Sequence, residues 1–281
     1  MLVGLVMAAV AVLLYAFAAV LQTAGARRAA RRSTTRLRVV DLLREATWLI
    51  GVLLLVLAFL AFVLSTRVLP LPVAEVIRSF YPVLTVLLEH VAFRSRVHAG
   101  ELVGAAFVLV GPAVLAASGG TRGDEQAGTA TSVTMALVLA AVTLLSAVAG
   151  RGHDRPDLRG LAQAGLSGVA FAVVDIGVRA IPSPFSPLAA LTTTACWVGA
   201  VSAPVGLLLF SRAVTTTSAG RATVVLTVVN VVVASAWSVV AFGDRSDAGS
   251  GQYAVALTTA TLGLWLMART ARGDVMSRTP H

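Results

Sequence analysis

The residues best suited to chemistry in this chain are two acid–base pairs within apolar stretches. Glu75 and Arg78 lie three residues apart, and Asp175 and Arg179 lie four apart, so each pair falls on one face of a helix. An ionisable side chain in apolar surroundings is costly and usually faces a cavity or a partner. The spacing therefore predicts ion pairs, including cross-helix bridges from Glu75 to Arg179 and from Asp175 to Arg78.

Two interpretations of these pairs stay open. In the first, the pairs bind a small-molecule substrate or gate its path, and either carboxylate is also a candidate for proton or ion coupling. In the second, the charges only neutralise each other and fix helix packing. A further group of candidate cavity residues is polar or aromatic and lies within apolar runs: Tyr15, Gln22, Tyr81 and Asn230.

The other titratable residues form no recognisable catalytic or metal-binding pattern. Glu89 and His90 are adjacent, so their side chains point to different helix faces, and we interpret them as a pair that reaches towards the membrane interface. The remaining histidines, His98, His153 and His281, fall in predicted loops or in the tail. We therefore expect no catalytic residues, no metal site, no cofactor and no enzymatic activity.

The composition indicates which elements hold these residues. Hydrophobic residues make up 57% of the 281 positions and charged residues 12%, with a mean hydropathy of +0.87. So few charges cannot cover the surface of a soluble protein of this size. The apolar runs are about 20 residues long, which matches a helix across about 30 Å of hydrocarbon. The sequence therefore predicts an all-α polytopic membrane protein and excludes disorder and a disulfide scaffold.

Nine apolar runs predict nine transmembrane helices. They cover residues 2–24, 47–66, 71–92, 101–118, 132–150, 160–181, 188–210, 221–242 and 252–268. Between the first two, residues 36–47 place Leu37, Val40 and Leu43 at helical spacing, which predicts a short helix on the membrane surface. We expect the first run to be a retained anchor and not a cleaved signal peptide, because its arginines follow it.

The basic residues indicate an orientation. All 22 are arginines, the net charge is +9, and they concentrate in alternate connections between the predicted spans. This pattern predicts an external N-terminus and a cytoplasmic C-terminus in the plasma or inner membrane. We interpret the basic excess as an orientation signal that also attracts membrane lipids, and we expect no nucleic-acid partner.

Two stretches align as an internal repeat. Tyr81 and Phe93 are separated by the same number of residues as Asn230 and Phe242. On the predicted topology Phe93 is cytoplasmic and Phe242 is external, so the two copies run in opposite directions, as in inverted-repeat transporters. We expect a first repeat of four spans and the surface helix over 1–130, a second of five spans over 131–270, and a cytoplasmic tail over 271–281.

At these positions the chain resembles the drug/metabolite transporter superfamily, in particular its EamA-like members and the nine-span branch that includes NIPA-type magnesium transporters. The resemblance extends from about residue 3 to 270 through loose motifs, and Asn230-Val231 stands where the family usually has a Glu-Pro pair. The matching segments are YAFAAVLQTAGARR from Tyr15, Trp48-Leu49-Ile50-Gly51, Pro70 to Pro82 before Phe93, Gly100-Glu101-Leu102-Val103-Gly104, and Phe242-Gly243-Asp244-Arg245.

The resemblance implies a carrier of nine or ten helices in two inverted halves, with a central cavity and alternating access. Because Arg78 and Arg179 suit a carboxylate or phosphate, we expect a small anionic or zwitterionic metabolite or drug as cargo. Three alternatives stay open: a flippase of a lipid-linked precursor, a magnesium-type cation carrier, and a non-transporting scaffold or accessory subunit of an envelope-assembly complex. Small-residue spacing such as Gly100 to Gly104 leaves a homodimer or another membrane-protein partner open.

Overall fold

The structure is a computed structural model that describes most of the predicted helical segments. The described residues are 2–32, 38–65, 77–93 except 79, 128–149, 156–181 and 191–242, with isolated positions between 103 and 114 and between 251 and 266. These residues are almost entirely helical, and no strand occurs among them. The prediction of an all-α chain is therefore confirmed for this part of the protein.

Eight helices are described. Their bounds are α1 Leu2–Arg32, α2 Val39–Leu43, α3 Ala46–Ser65, α4 Tyr81–Phe93, α5 Thr129–Ala149, α6 Pro156–Arg179, α7 Thr194–Thr216 and α8 Ala219–Phe242. Five of them, α1, α3, α5, α6 and α7, contain segments long and apolar enough to cross a membrane. This length and composition identify a membrane-embedded helical protein. The predicted spans 101–118 and 252–268 lie largely outside the described residues, and the count of nine, the orientation and the repeats stay predictions.

The chain forms two compact units. The first contains α1 to α4 together with Ser218–Val224, and the second contains α5 to α7 together with the rest of α8. Helix α8 therefore belongs to both units, with its first residues in the first. The predicted repeat boundary between residues 130 and 131 stays a prediction.

In the first unit, α1 packs along α3 at backbone distance because glycines face the neighbouring helix. A Cβ placed on Gly25 would come within 2.6 Å of the backbone nitrogen of Trp48, and one on Gly51 would lie 2.8 Å from Cγ of Gln22. The Gln22 amide donates a hydrogen bond to the Gly51 carbonyl at 3.2 Å. Small residues at helix crossings allow this approach in membrane proteins, where close packing and interhelical hydrogen bonds replace the hydrophobic effect.

In the second unit, α6 packs on α7 by the same means. The hydroxyl of Ser167 on α6 donates to the carbonyl of Gly206 at 2.8 Å, and the hydroxyl of Ser202 on α7 donates to the carbonyl of Ala170 at 2.7 Å. Each helix thus contributes one buried serine to a carbonyl of the other. A Cβ on Gly177 would lie 2.8 Å from the Ala195 carbonyl oxygen, so this crossing also depends on a residue without a side chain.

Helix α1 continues well past the predicted end of the first span at residue 24. It runs to Arg32 and carries Arg27, Arg28 and Arg31 on its last two turns. Arginine is a good helix former, and its charge is favourable at a helix C-terminus. The carboxylate of Glu45 also lies 3.6 Å from Arg28 and 3.0 Å from Arg32. Much of the predicted basic loop is therefore helical.

Candidate functional site

Three of the candidate site residues meet around Phe62 in the first unit. The guanidinium carbon of Arg78 lies 4.6 Å from the centroid of the Phe62 ring. Tyr15 packs against the buried pair of Ala11 and Phe62, and the rings of Tyr15 and Tyr81 are 5.5 Å apart at an interplanar angle of 41°. We call Tyr15, Phe62, Arg78 and Tyr81 the arginine–aromatic cluster.

Three helices position this cluster. Tyr15 lies on α1, Phe62 lies near the end of α3, Tyr81 is the first residue of α4, and Arg78 precedes it by three residues. Phe62 is buried, with 7% of its surface exposed, whereas Tyr15, Arg78 and Tyr81 are half-buried. The cluster therefore has a buried aromatic base beneath partly accessible polar groups.

The cluster combines the features that bind an organic anion. Stacking on an aromatic ring engages the face of a guanidinium, whereas its five N–H donors lie in the guanidinium plane and match the oxygens of a carboxylate or phosphate. The two tyrosines add flat apolar surfaces with polar tips. Together these groups suit a small solute with an acidic group and an apolar or aromatic portion.

Gln22 lies seven residues after Tyr15, on the same face of α1. Its side chain is buried, and its amide donates to the Gly51 carbonyl. The structure therefore places this candidate in the contact between α1 and α3, two turns from the arginine–aromatic cluster.

Two other candidates, Asp175 and Asn230, meet in the second unit. The Asn230 amide nitrogen on α8 donates to Oδ2 of Asp175 on α6 at 2.9 Å. Asn230 is 7% exposed and Asp175 is half-buried. A Cβ on Gly168 would lie 3.2 Å from the Asn230 backbone nitrogen, so a missing side chain on α6 lets α8 come close enough for this bond.

Arg179 contacts an aromatic ring in the second unit. Its guanidinium carbon lies 4.9 Å from the centroid of Phe242. A similar contact occurs in the first unit, where the guanidinium carbon of Arg27 lies 5.1 Å from the centroid of Phe93. Phe93 ends α4 and Phe242 ends α8, so each arginine stacks on the last residue of a helix.

The two predicted cross-helix bridges stay predictions. Glu75, the proposed partner of Arg179, lies outside the described residues. Arg78 and Asp175 belong to different compact units.

Glu89 has a role that the sequence did not reveal. One carboxylate oxygen accepts the backbone N–H of Ala219 at 2.9 Å, and the other accepts that of Gly220 at 2.8 Å. Nη2 of Arg27 lies 3.4 Å from the first of these oxygens. Only 6% of Glu89 is exposed, whereas its neighbour His90 is exposed. The interpretation of Glu89 as a side chain that reaches to the interface was therefore wrong.

The physical reason is that the start of α8 offers unpaired backbone donors. The first N–H groups of a helix have no partner within it and carry a partial positive charge, which a carboxylate satisfies. Gly220 lets α4 approach, because a Cβ there would overlap the side chain of Val86. The signal in the sequence is weak: a glutamate one turn before the end of an apolar run, and a small Ser218-Ala219-Gly220 segment 130 residues later.

Among the residues that the structure describes, no group of three or more His, Cys, Asp or Glu side chains could hold a metal ion. Cys196, on α7, is a free thiol of intermediate burial.

Comparison with known proteins adds no assignment: no protein-family model, no curated protein and no solved structure matches the chain.

Proposed function

We propose that the protein is a secondary transporter that moves a small anionic or zwitterionic metabolite or drug across the plasma or inner membrane. The arginine–aromatic cluster is the substrate-binding element of this proposal. The observation that carries it is the meeting of Arg78, Tyr15 and Tyr81 around the buried Phe62, in a unit whose α1 and α3 are long enough to span a bilayer. Polar groups gathered at membrane depth are costly and typically mark a path for a solute.

The cluster favours an anion over a bare metal cation. Magnesium prefers oxygen ligands in octahedral geometry, and a guanidinium repels it. A guanidinium stacked on one aromatic ring, with two tyrosine rings nearby, instead suits the carboxylates and phosphates of organic molecules. A magnesium-type carrier is therefore the weaker alternative.

The proposal includes two inverted repeats of the kind found in the drug/metabolite transporter superfamily. Phe93 and Phe242 are equivalent in the repeat alignment, each ends a helix, and each carries a stacked arginine. Arg27 lies in the last two turns of α1, and Arg179 is the last residue of α6. The alignment of the two repeats did not use Arg27 or Arg179. Their matching contacts with Phe93 and Phe242 are therefore independent support for the repeat.

Alternating access requires contacts that can exchange between two arrangements. The hydrogen bond from Asn230 to Asp175 is one candidate, because it joins α6 to α8 through polar groups in apolar surroundings. In this proposal Asp175 and Asn230 act in gating, and Asp175 is the candidate carboxylate for proton coupling among the described residues.

Flux into proteoliposomes tests the proposal. The purified protein would be reconstituted and offered labelled carboxylates, phosphate esters and amino acids, with Mg²⁺ and a lipid-linked sugar as the competing classes. We expect saturable flux of at least one anionic or zwitterionic solute above that of protein-free liposomes. Flux of Mg²⁺ or of the lipid-linked sugar alone would contradict the proposed cargo. Absence of all flux, with stoichiometric co-purification of another membrane protein, would favour the scaffold.

A further inference from the structure

The end of α1 and the short helix α2 together form a basic and apolar surface, which we call the α1–α2 surface. It contains five exposed arginines and three exposed aliphatic residues. These are Arg28, Arg31, Arg32, Arg38 and Arg44, with Val39, Val40 and Leu43. None of these residues belongs to the arginine–aromatic cluster.

The geometry of α1 places this surface at the level of lipid headgroups. The helix has 31 residues, which corresponds to about 46 Å at about 1.5 Å per residue. The hydrocarbon core is about 30 Å thick, and the headgroup layer adds several ångströms on each side. Because the arginines occupy the last two turns, they lie beyond the apolar part of α1.

Two of the five arginines contact a single buried carboxylate. Glu45 is 7% exposed, and its two oxygens lie 3.6 Å from Arg28 and 3.0 Å from Arg32. Arg28 also donates to the hydroxyl of Thr47 at 2.6 Å. One carboxylate therefore orders two guanidinium groups and leaves the group net positive. The other acid of this surface, Asp41, accepts the backbone N–H of Arg38 at 3.0 Å and caps α2.

Helix α2 buries Leu42 and exposes its three other aliphatic residues. Leu42 is 1% exposed, whereas Val39, Val40 and Leu43 are 47%, 54% and 53% exposed. A free phosphate ion would gain nothing from these aliphatic side chains. The acyl chains below a phosphate headgroup would cover them.

We propose that the α1–α2 surface binds the headgroups of anionic phospholipids, with Val39, Val40 and Leu43 inserted at the top of the acyl chains. The charge complementarity of clustered arginines and lipid phosphates provides the attraction, and the buried Glu45 preorganises two of the donors. The exposed aliphatic residues make the occupant a lipid within the bilayer and not a soluble phosphate.

Native mass spectrometry of the full-length protein in detergent tests the proposal. The protein would be titrated with phosphatidylglycerol and, separately, with phosphatidylcholine of identical acyl chains. We expect clear preferential retention of phosphatidylglycerol. The double variant Arg31→Gln/Arg44→Gln leaves the contacts of Glu45 intact. We expect it to weaken this retention by about thirtyfold, the effect of removing two basic residues that face an anionic surface. Equal retention of both lipids by the unaltered protein would overturn the proposal.

A matched control removes two arginines elsewhere. Arg159→Gln/Arg212→Gln alters α6 and α7 of the second unit and changes the net charge by the same amount. We expect it to retain phosphatidylglycerol as the unaltered protein does, and equal weakening in both double variants would overturn the assignment to the α1–α2 surface.

A second pair of measurements separates a lipid from a free anion. Val40→Ser/Leu43→Ser keeps every arginine, and we expect it to weaken phosphatidylglycerol retention; unchanged retention would contradict insertion of α2. Excess inorganic phosphate, compared with sodium chloride of equal ionic strength, is expected to displace no additional lipid. Specific displacement by phosphate would show an ion site and overturn the proposed lipid surface.

Discussion

Asp175 on α6 and Asn230 on α8 are 55 residues apart in the chain and are joined by a hydrogen bond of 2.9 Å. An ionised carboxylate only accepts hydrogen bonds, and the amide nitrogen of asparagine only donates them. The pair is therefore directional, and each residue satisfies a polar group of the other in apolar surroundings. This relationship leads to a prediction that distinguishes the bond from general packing.

Replacement of Asn230 by leucine is expected to lower the free energy of unfolding by about 1–3 kcal/mol, because Asp175 loses a donor in apolar surroundings. Chemical denaturation in detergent micelles measures this change. The exchanged variant Asp175→Asn/Asn230→Asp provides the control, since an amide at 175 can donate to a carboxylate at 230. We expect the exchange to recover most of the stability. A leucine variant as stable as the unaltered protein would show that the bond contributes nothing.

Glu89→Gln is expected to lower the free energy of unfolding by about 1–2 kcal/mol, the usual effect of losing a charged cap at a helix N-terminus. In glutamine an NH2 group replaces one of the two carboxylate oxygens, so it faces one of the two backbone N–H donors of Ala219 and Gly220. The charge that faces Arg27 is also lost. His90→Gln changes the exposed neighbour and serves as the control in the same denaturation experiment. Equal losses in the two variants would contradict the capping role.

Gly25→Ala is expected to reduce the yield of folded protein or to lower its stability by about 1–3 kcal/mol, because overpacking at a helix crossing displaces backbone. The added methyl group would lie 2.6 Å from the backbone nitrogen of Trp48. Gly128→Ala is the matched control, since a Cβ there has no atom within 4 Å. Size-exclusion profiles and unfolding curves of the two variants measure the difference, and a normal profile for Gly25→Ala would refute the close contact of α1 and α3.

The sequence predicted helices more reliably than their ends. Apolar runs identified α1, α3, α5, α6 and α7, because about 20 apolar residues in succession have few alternatives to a membrane helix. The predicted end of α1 was too early because hydropathy locates only the boundary of the hydrocarbon layer. The helix continues to Arg32, whose guanidinium forms an ion pair with Glu45. Similarly, α7 continues to Thr216, beyond the predicted end of that span at residue 210, and Ser211 in this extension is buried.

The residues of the arginine–aromatic cluster could be selected by type, but their partners could not. Arg78, Tyr15 and Tyr81 were selected because polar and aromatic residues within apolar runs are unusual, yet Phe62 carries no such signal in a phenylalanine- and leucine-rich span. Glu89 was misjudged because its partners are backbone N–H groups 130 residues away. Every residue except proline carries a backbone N–H, so the types of residues in a sequence do not indicate which of these donors a distant carboxylate will contact.

Phe62→Leu is expected to raise KM for the transported solute by about two- to thirtyfold with little change in kcat, because loss of a cation–π contact of about 0.5–2 kcal/mol leaves Arg78 less firmly positioned. Initial uptake rates over a range of solute concentrations measure both constants. Phe17→Leu is the control, since Phe17 lies on α1 with 46% of its surface exposed. An unchanged KM in Phe62→Leu would show that this ring does not contribute to substrate binding.

The role of Arg78 in anion transport is the central claim, and uptake by reconstituted variants tests it most directly. The measurement is kcat/KM for the best anionic solute in proteoliposomes that contain the unaltered protein, Arg78→Lys or Arg78→Gln, with equal folded content shown by circular dichroism. We expect Arg78→Gln to lower kcat/KM by about ten- to hundredfold, the loss of a charged hydrogen bond, and Arg78→Lys to recover part of it because lysine keeps the charge but not the planar fork. Transport by Arg78→Gln at the unaltered rate would contradict the account.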